Sequence, residues 1–307
     1  MLAEFEEKQY EQLINIELTR GHNLLPIGQS QENFCGFDGA LWTAHPRFWQ
    51  YITFYLPRWA RIELPLSQLG WPRLWPGNLP KGITIEELGE LCEGRLNLIV
   101  RKLPQIRFNV LIQYKRSEYM RSPKSREWVY WEQPYYRYKL VRWQLETLVR
   151  IAQRVGKRAI VVYAAPSFYT IRDLIIYAEQ QQLVANSNFR RALDLKGHWV
   201  YTFIAPGSAG KAFSELETFS DDFHFLEEIG RLARREEREF RPNREYLRWL
   251  AKALEQSVIE DANVRELYSR YHEGIQRLSH WPLTQSLVRL NFISWLVQIR
   301  IFLGFAK

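Results

Sequence analysis

Three polar residues occur at places where apolar stretches of the sequence begin or end. Asp38 lies within GFDGALW, and Gln113 and Lys115 close the apolar run FNVLIQYK. Side chains alternate along a strand, so Gln113 and Lys115 would share one face. A magnesium-dependent hydrolase needs hard oxygen ligands, and a lysine can orient or help to deprotonate the attacking water. The pattern indicates Asp38, Gln113 and the Tyr114 carbonyl as metal ligands, with Lys115 positioning the water.

A simpler interpretation of these residues stays open. On that interpretation Asp38 caps a turn, and Lys115 marks the point at which a buried strand reaches solvent. Short motifs match by chance often enough that spacing alone does not decide between the two. Polar residues on predicted helices bear on the choice.

Two predicted helices carry a polar residue on their apolar faces. Helix 4–20 has Glu17 at the centre of its apolar stripe, so the carboxyl group would face inward. Helix 138–155 has Gln144 in a similar place, where an unpaired amide costs about 1–3 kcal/mol. Glu17 would serve catalysis or a salt bridge to an arginine of the sheet. Gln144 would serve the site or a hydrogen bond to a strand end.

Strand patterns alternate with helical patterns through the middle of the chain. The predicted strands are 107–115, 158–166 and 198–206, and the helices between them are 138–155 and 170–182. A further strand is predicted around Asp38. This alternation is typical of an α/β fold in which at least part of the sheet is parallel.

Two other regions complete the predicted organisation. Residues 45–105 are rich in Trp and Pro and are predicted to be an insertion with a helix at 84–93. Strand signals stop after residue 212, which predicts an α/β domain over 1–212 and an all-helical domain over 213–307. The four helices predicted there are 220–239, 243–260, 262–278 and 283–303.

The order of these segments resembles restriction-endonuclease-like proteins of the PD-(D/E)xK superfamily. The resemblance rests on LPIGQSQENFCGFDGAL, FNVLIQYKRSEYM, the helix with Gln144, and AIVVYAAPSF, and it covers roughly residues 1–210. It is closest to variants in which QxK replaces ExK, which occur in bacterial antiphage and mobile-element loci. Two features depart from the family pattern. The span from Asp38 to Gln113 is long, and Gln113 offers a carbonyl oxygen without the charge of an acid.

The resemblance implies a fold, an activity and a set of site residues. The implied fold is a mixed sheet flanked by helices, and the implied activity is Mg²⁺- or Mn²⁺-dependent endonuclease cleavage of DNA in antiphage defence. Asp38 resembles the metal-binding acid, and Gln113 and Lys115 resemble the second half of the motif. The remaining residues that it implies are the helix acid Glu17, the helix amide Gln144 and the further acid Glu32.

Positive charge is concentrated around the predicted site. The chain has 42 Lys and Arg against 34 Asp and Glu, which gives a formal charge of +8 and favours a polyanionic partner. Aromatic residues are interleaved with the cations that follow Gln113, which suits contacts with phosphates and bases, although a solvated loop with packed aromatics remains the other interpretation. DNA is the expected partner and RNA is not excluded. The predicted nucleic-acid-binding residues are Arg116, Arg121, Lys124 and Arg126.

The composition indicates in which cellular compartment the protein is expected. Two cysteines cannot build a disulfide scaffold, and the acidic, polar N-terminus does not resemble a signal peptide. The most apolar stretch, near the C-terminus, is interrupted by Arg289, Gln298 and Arg300, which favours a buried helix over a membrane span. A cytoplasmic protein is therefore expected.

Two other classes of function remain open. Because Gln113 is neutral, the chain could be a nucleic-acid-binding module that retains the fold without catalysis. It could also be an interaction subunit of a larger defence complex whose helical C-terminal region docks a protein partner. The apolar stripe of the last predicted helix either packs within this protein or recruits another chain, and it consists of Leu287, Leu290, Ile293, Leu296 and Val297.

Overall fold

The computed structural model describes residues 1–22, 24–27, 85–235 and 241–305. Within these ranges the helices are α1 (Glu7–Gly21), α2 (Ile85–Lys102), α3 (Arg142–Val155), α4 (Ile171–Glu179), α5 (Phe225–Arg234), α6 (Asn243–Ile259), α7 (Ala262–Gln276) and α8 (Pro282–Val297). The strands are β1 (Leu24–Pro26), β2 (Ile106–Tyr114), β3 (Glu118–Met120), β4 (Tyr135–Lys139), β5 (Ala159–Pro166), β6 (Ser187–Arg191), β7 (Val200–Phe203), β8 (Lys211–Phe213), β9 (Leu216–Thr218) and β10 (Arg300–Phe305).

The described strands form two five-stranded sheets, ordered β1-β10-β2-β5-β6 and β3-β4-β7-β8-β9. In the first sheet β2 and β5 are parallel, and their neighbours β10 and β6 are antiparallel to them. A parallel pair needs a crossover, which here includes β3, β4 and helix α3. The predicted α/β class, with a mixed sheet flanked by helices, is confirmed.

Strand β2 is the central strand of the first sheet and is buried on both faces. Val110, Ile112 and Tyr114 pack in one apolar cluster with α1, whereas Leu111 packs in a second cluster with α3. Such double burial explains the continuous apolar run that predicted this strand. The predicted strands at 107–115 and 158–166 are confirmed within one residue at each end.

Helix α3 begins later than predicted. The helix expected over 138–155 starts at Arg142, because residues 135–139 form strand β4 and pair antiparallel with β7. Tyr135 and Tyr138 lie on opposite faces of that strand, and both are fully buried. Burial of these two rings in the second sheet overrides the helical tendency of the local sequence.

The C-terminal region is not all-helical, which corrects the prediction for residues 213–307. The last helix, expected over 283–303, ends at Val297 because Gln298 adopts a left-handed backbone conformation with φ 57°. Residues 300–305 then form β10, which lies between β1 and β2 in the first sheet. Residues 216–218 form a further short strand, β9.

The boundary predicted at residue 212 does not coincide with a break in the core. One apolar cluster contains buried residues from β2, α3 and β5 together with residues from α6, α7, α8 and β10. The predicted stripe of the last helix, Leu287 to Val297, lies inside this cluster. Its packing within the protein is therefore confirmed, and the C-terminal region contributes directly to the sheet that carries the candidate site.

Helix α2 occupies the end of the segment predicted as an insertion. It runs from Ile85 to Lys102, so it is longer than the expected helix at 84–93. Asn243 of α6 accepts a hydrogen bond from the Ile106 N–H and donates to carbonyls at the end of α2 and just beyond it. These bonds fix the entry into β2. No helix in the described ranges is both long enough and apolar enough to cross a membrane.

Candidate functional site

The candidate site lies at the carboxyl end of β2. Lys115 follows the strand directly, and its backbone N–H donates to the Ala164 carbonyl at 2.9 Å. Its Nζ donates to Gln144 Oε1 of α3 at 3.1 Å. Gln144 is 1% exposed, and its Nε2 donates to the Val297 carbonyl at the end of α8 at 2.8 Å. Both polar atoms of the buried Gln144 amide therefore have a hydrogen-bond partner. The bond from the amide nitrogen to Val297 fixes the amide, and the amide oxygen orients the lysine.

Gln113 lies two residues before Lys115, on the same face of β2. It is 1% exposed, and its Nε2 donates to the Tyr114 carbonyl at 3.2 Å. Its Oε1 has no hydrogen-bond partner within the described part of the chain. A buried acceptor without a partner lowers the stability of the fold by about 1–3 kcal/mol, and a hydrogen-bond donor or a cation bound to this oxygen would remove that cost. Of the residues predicted to converge, Lys115 and Gln144 are in contact, and Gln113 lies on the same face of β2.

Glu7, in the first turn of α1, is the acid that acts on Lys115. Its carboxylate accepts the Arg116 N–H at 3.2 Å. Burial raises the pKa of Glu7, and the nearby Lys115 charge together with that hydrogen bond opposes the rise. Burial likewise lowers the pKa of Lys115, while the Glu7 charge opposes the fall. Each group thus favours the charged form of the other in a partly desolvated place.

An ion pair between Arg300 and Glu11 connects the C-terminal strand β10 to α1 at the same end of the sheet. Glu11, one turn after Glu7, is 4% exposed and accepts a hydrogen bond from Lys8 at 2.7 Å. It also forms an ion pair with Arg300, the first residue of β10. Arg300 stands opposite Ile112 of β2 in the register. The pair fixes α1 against the sheet beside the candidate site.

Glu17 does not join this cluster, although it is buried as predicted. Its two carboxylate oxygens accept the N–H groups of Leu183 and Val184 at 2.7 and 3.1 Å. Ten helical residues separate it from Glu7, which corresponds to about 15 Å along the axis. Burial raises the pKa of Glu17, and the two N–H donors oppose that rise. Glu17 therefore anchors the loop after α4, and among the described residues it forms no ion pair with an arginine of the sheet.

Asp38 and Glu32 lie outside the residues that the structure describes. The two strands hydrogen-bonded to β2 are β10 and β5, and neither contains an acid. Across the described ranges, no group of three or more His, Cys, Asp or Glu side chains is arranged to hold a metal ion. The described part of the predicted metal site is therefore the amide oxygen of Gln113 and the Tyr114 carbonyl, which accepts a hydrogen bond from Gln113 Nε2.

The predicted nucleic-acid-binding residues fall into two groups. Arg116 is held by the N-terminal segment, since it forms an ion pair with Glu6 at 3.0 Å and donates to the Ala3 carbonyl. Arg121, Lys124 and Arg126 are exposed on the loop between β3 and β4. Arg116 shapes the site, and the other three are available to an anionic partner.

Comparison with known proteins identifies no relative: no family model, no curated protein and no solved structure matches this chain.

Sequence reasoning missed Glu7, Glu11 and Arg300. Glu7 lies at the edge of the α1 stripe, so the stripe's centre directed attention to Glu17 instead. Arg300 falls within the predicted helix 283–303. Only the pairing of β10 with β2 brings it beside α1 and the candidate site. The available signal was the spacing of Glu7 and Glu11, which are four residues apart on one helix face.

Proposed function

We propose that this protein is a divalent-metal-dependent nuclease that hydrolyses DNA phosphodiester bonds in the bacterial cytoplasm, as part of defence against phage. One observation carries the proposal. Lys115 follows a buried strand, and its ammonium group is hydrogen-bonded to Gln144 and lies near the charge of Glu7. Two residues earlier on the same face, Gln113 has a buried oxygen without a partner in the described part of the chain. A lysine held in this way is suited to orienting a water molecule, because Gln144 fixes the position of its ammonium group.

The proposal includes a hard cation such as Mg²⁺ or Mn²⁺, for which the described residues supply one oxygen ligand with a free position. Gln113 Oε1 is a neutral oxygen donor with a free position, and Asp38 would supply the negative charge. When bound, the metal would polarise the phosphate and stabilise the leaving oxygen. Lys115 would orient the attacking water through its ammonium group, while Gln144 would hold the lysine side chain in place. Glu7 would keep the lysine protonated at neutral pH.

The test is cleavage of supercoiled plasmid DNA with Mg²⁺ or Mn²⁺. The wild-type protein is expected to convert the plasmid to nicked and linear forms, and chelation of the metal or the substitution Asp38→Ala should remove that activity. Equal activity of the wild-type and Asp38→Ala proteins would refute the assignment of Asp38. A wild-type protein that is inactive with both metals would refute the nuclease proposal.

A second candidate function is nucleic-acid binding without hydrolysis, as a subunit of a larger defence complex. It is favoured by Gln113, which is neutral and whose Nε2 donates to the Tyr114 carbonyl, the backbone oxygen proposed as a metal ligand. The plasmid assay separates the two candidates when it is paired with a gel-shift measurement. Retarded but uncut DNA would support the binding module. The C-terminal helices would then be the expected contact for a protein partner.

A further inference from the structure

Three tyrosines gather beside the candidate site. The rings of Tyr119 and Tyr169 are stacked, with centroids 4.6 Å apart and planes 5° from parallel. The ring of Tyr136 lies 5.1 Å from that of Tyr119 at 37°. All three side chains are partly exposed. We call these three residues the tyrosine cluster.

The fold brings the tyrosine cluster to the same sheet end as Lys115. Tyr119 lies four residues after Lys115, so their Cα atoms are at most about 14 Å apart. Tyr169 lies three residues after Pro166, where β5 ends. Because β2 and β5 are parallel, their carboxyl ends lie at one edge of the sheet, which is where α/β proteins commonly bind ligands.

The charges around the tyrosine cluster suit an anionic ligand. Arg121, Lys124 and Arg126 follow β3 on an exposed loop and have no ion pair within the described ranges. Arg137 forms ion pairs with Glu118 of the same strand at 2.7 Å and with the buried Glu127 at 3.2 Å, so both acids share one guanidinium group. The Tyr136 hydroxyl is neutral at physiological pH and can donate a hydrogen bond, and burial raises its pKa further.

We propose that the tyrosine cluster is a stacking platform for an unpaired nucleobase, so that the substrate is single-stranded or locally unwound nucleic acid. This inference rests on the proposed function, because it gives the substrate class of the same site. Stacked aromatic rings beside exposed cations are the recurring means of binding single strands, since the rings take up base faces while the cations contact phosphates. In a duplex those faces are covered by neighbouring bases, and opening the stack costs a few kcal/mol.

The test measures affinity by fluorescence anisotropy, in EDTA and at one fixed salt concentration, for a labelled oligodeoxynucleotide and for its duplex. Wild-type protein is expected to bind the single strand more tightly than the duplex. Tyr169→Leu removes the ring and should weaken single-strand binding about 5- to 150-fold, which corresponds to about 1–3 kcal/mol for one stacked base. Its duplex affinity should change less than about twofold by the same reasoning, since no base face is stacked there.

Tyr169→Phe is the matched control, because it keeps the ring and removes only the hydroxyl; it should bind as the wild-type protein does. Thermal unfolding of both variants checks that the fold is retained. Preference of the wild-type protein for the duplex, binding of neither form, or an equal loss for both forms in Tyr169→Leu would overturn the platform. Selective loss without any cleavage of plasmid or of the single strand by the wild-type protein with Mg²⁺ or Mn²⁺ would refute the nuclease and leave the platform, which keeps the two failures distinct.

Discussion

Two acidic residues on one helix contact different partners. Glu7 and Glu17 both lie on α1, and burial raises the pKa of each. Glu7 faces the charge of Lys115, whereas Glu17 accepts two backbone N–H groups. Helical periodicity predicts that both carboxyl groups turn inward but not what they meet there. Partners so distant in sequence depend on the tertiary fold, so periodicity alone does not distinguish the acid near Lys115 from the acid that holds a loop.

Glu17→Ala should destabilise the protein without impairing the site. Removal of the carboxylate leaves the Leu183 and Val184 N–H groups buried without their acceptor, at a cost of about 2–5 kcal/mol. Chemical denaturation measures the loss, and Gln12→Ala on the exposed face of α1 is the control, with an expected change within about 0.5 kcal/mol. A folded Glu17→Ala protein that has lost cleavage would contradict this structural role.

Glu7→Gln should shift the pH dependence of catalysis. The Glu7 carboxylate holds the pKa of Lys115 up against burial, so its neutralisation lowers that pKa further. A water-orienting ammonium is lost as the pH rises through the lysine pKa, and the alkaline limb of kcat/KM should therefore move to lower pH in Glu7→Gln. The pH–rate profiles of the two proteins provide the measurement. An unmoved alkaline limb would show that Glu7 does not act on Lys115.

At the scale of elements, β10 is the feature that changes the architecture most. The run RIFLGF continues an apolar C-terminal pattern, and periodicity alone does not separate a short buried strand from the end of a helix. Gln298, in a left-handed backbone conformation, ends helix α8. The residues after it form β10, which pairs with β1 and β2. Strands β2 and β5 were predictable because they are long and doubly buried. The central position of β10 was not, since it pairs residues almost 200 positions apart in the sequence.

Gly304→Ala should destabilise the first sheet. Gly304 of β10 packs directly against the Phe108 ring of β2, and an added Cβ would overlap ring atoms. Overpacking of this kind costs about 1–3 kcal/mol. Gly94→Ala in α2 is the matched control, because a Cβ there meets no atom within 4 Å and a helix gains about 0.5–1 kcal/mol from the change. Thermal unfolding compares the two, and equal stability of both variants would argue against this packing of β10.

At the scale of the whole molecule, the positive charge of +8 gives affinity for a polyanion but does not choose its kind. Arg121, Lys124 and Arg126 are exposed cations on the loop between β3 and β4. The combined substitution of Arg121, Lys124 and Arg126 by Gln should reduce the slope of log affinity against log salt by about 2–3 for duplex DNA, at roughly 0.9 per phosphate contact. Titration at several salt concentrations measures the slope. An unchanged slope would place the DNA on another surface.

The account depends most on Lys115 as the residue that performs the chemistry. Single-turnover cleavage with Mg²⁺ and DNA affinity without metal should therefore be measured together for the wild-type, Lys115→Ala and Lys124→Ala proteins. Lys115→Ala is expected to abolish cleavage and to keep nearly full affinity, since one phosphate contact among several contributes little to binding. Lys124→Ala should keep its cleavage rate at saturating DNA. Cleavage that survives in Lys115→Ala, or that falls only in proportion to its affinity, would contradict the central claim.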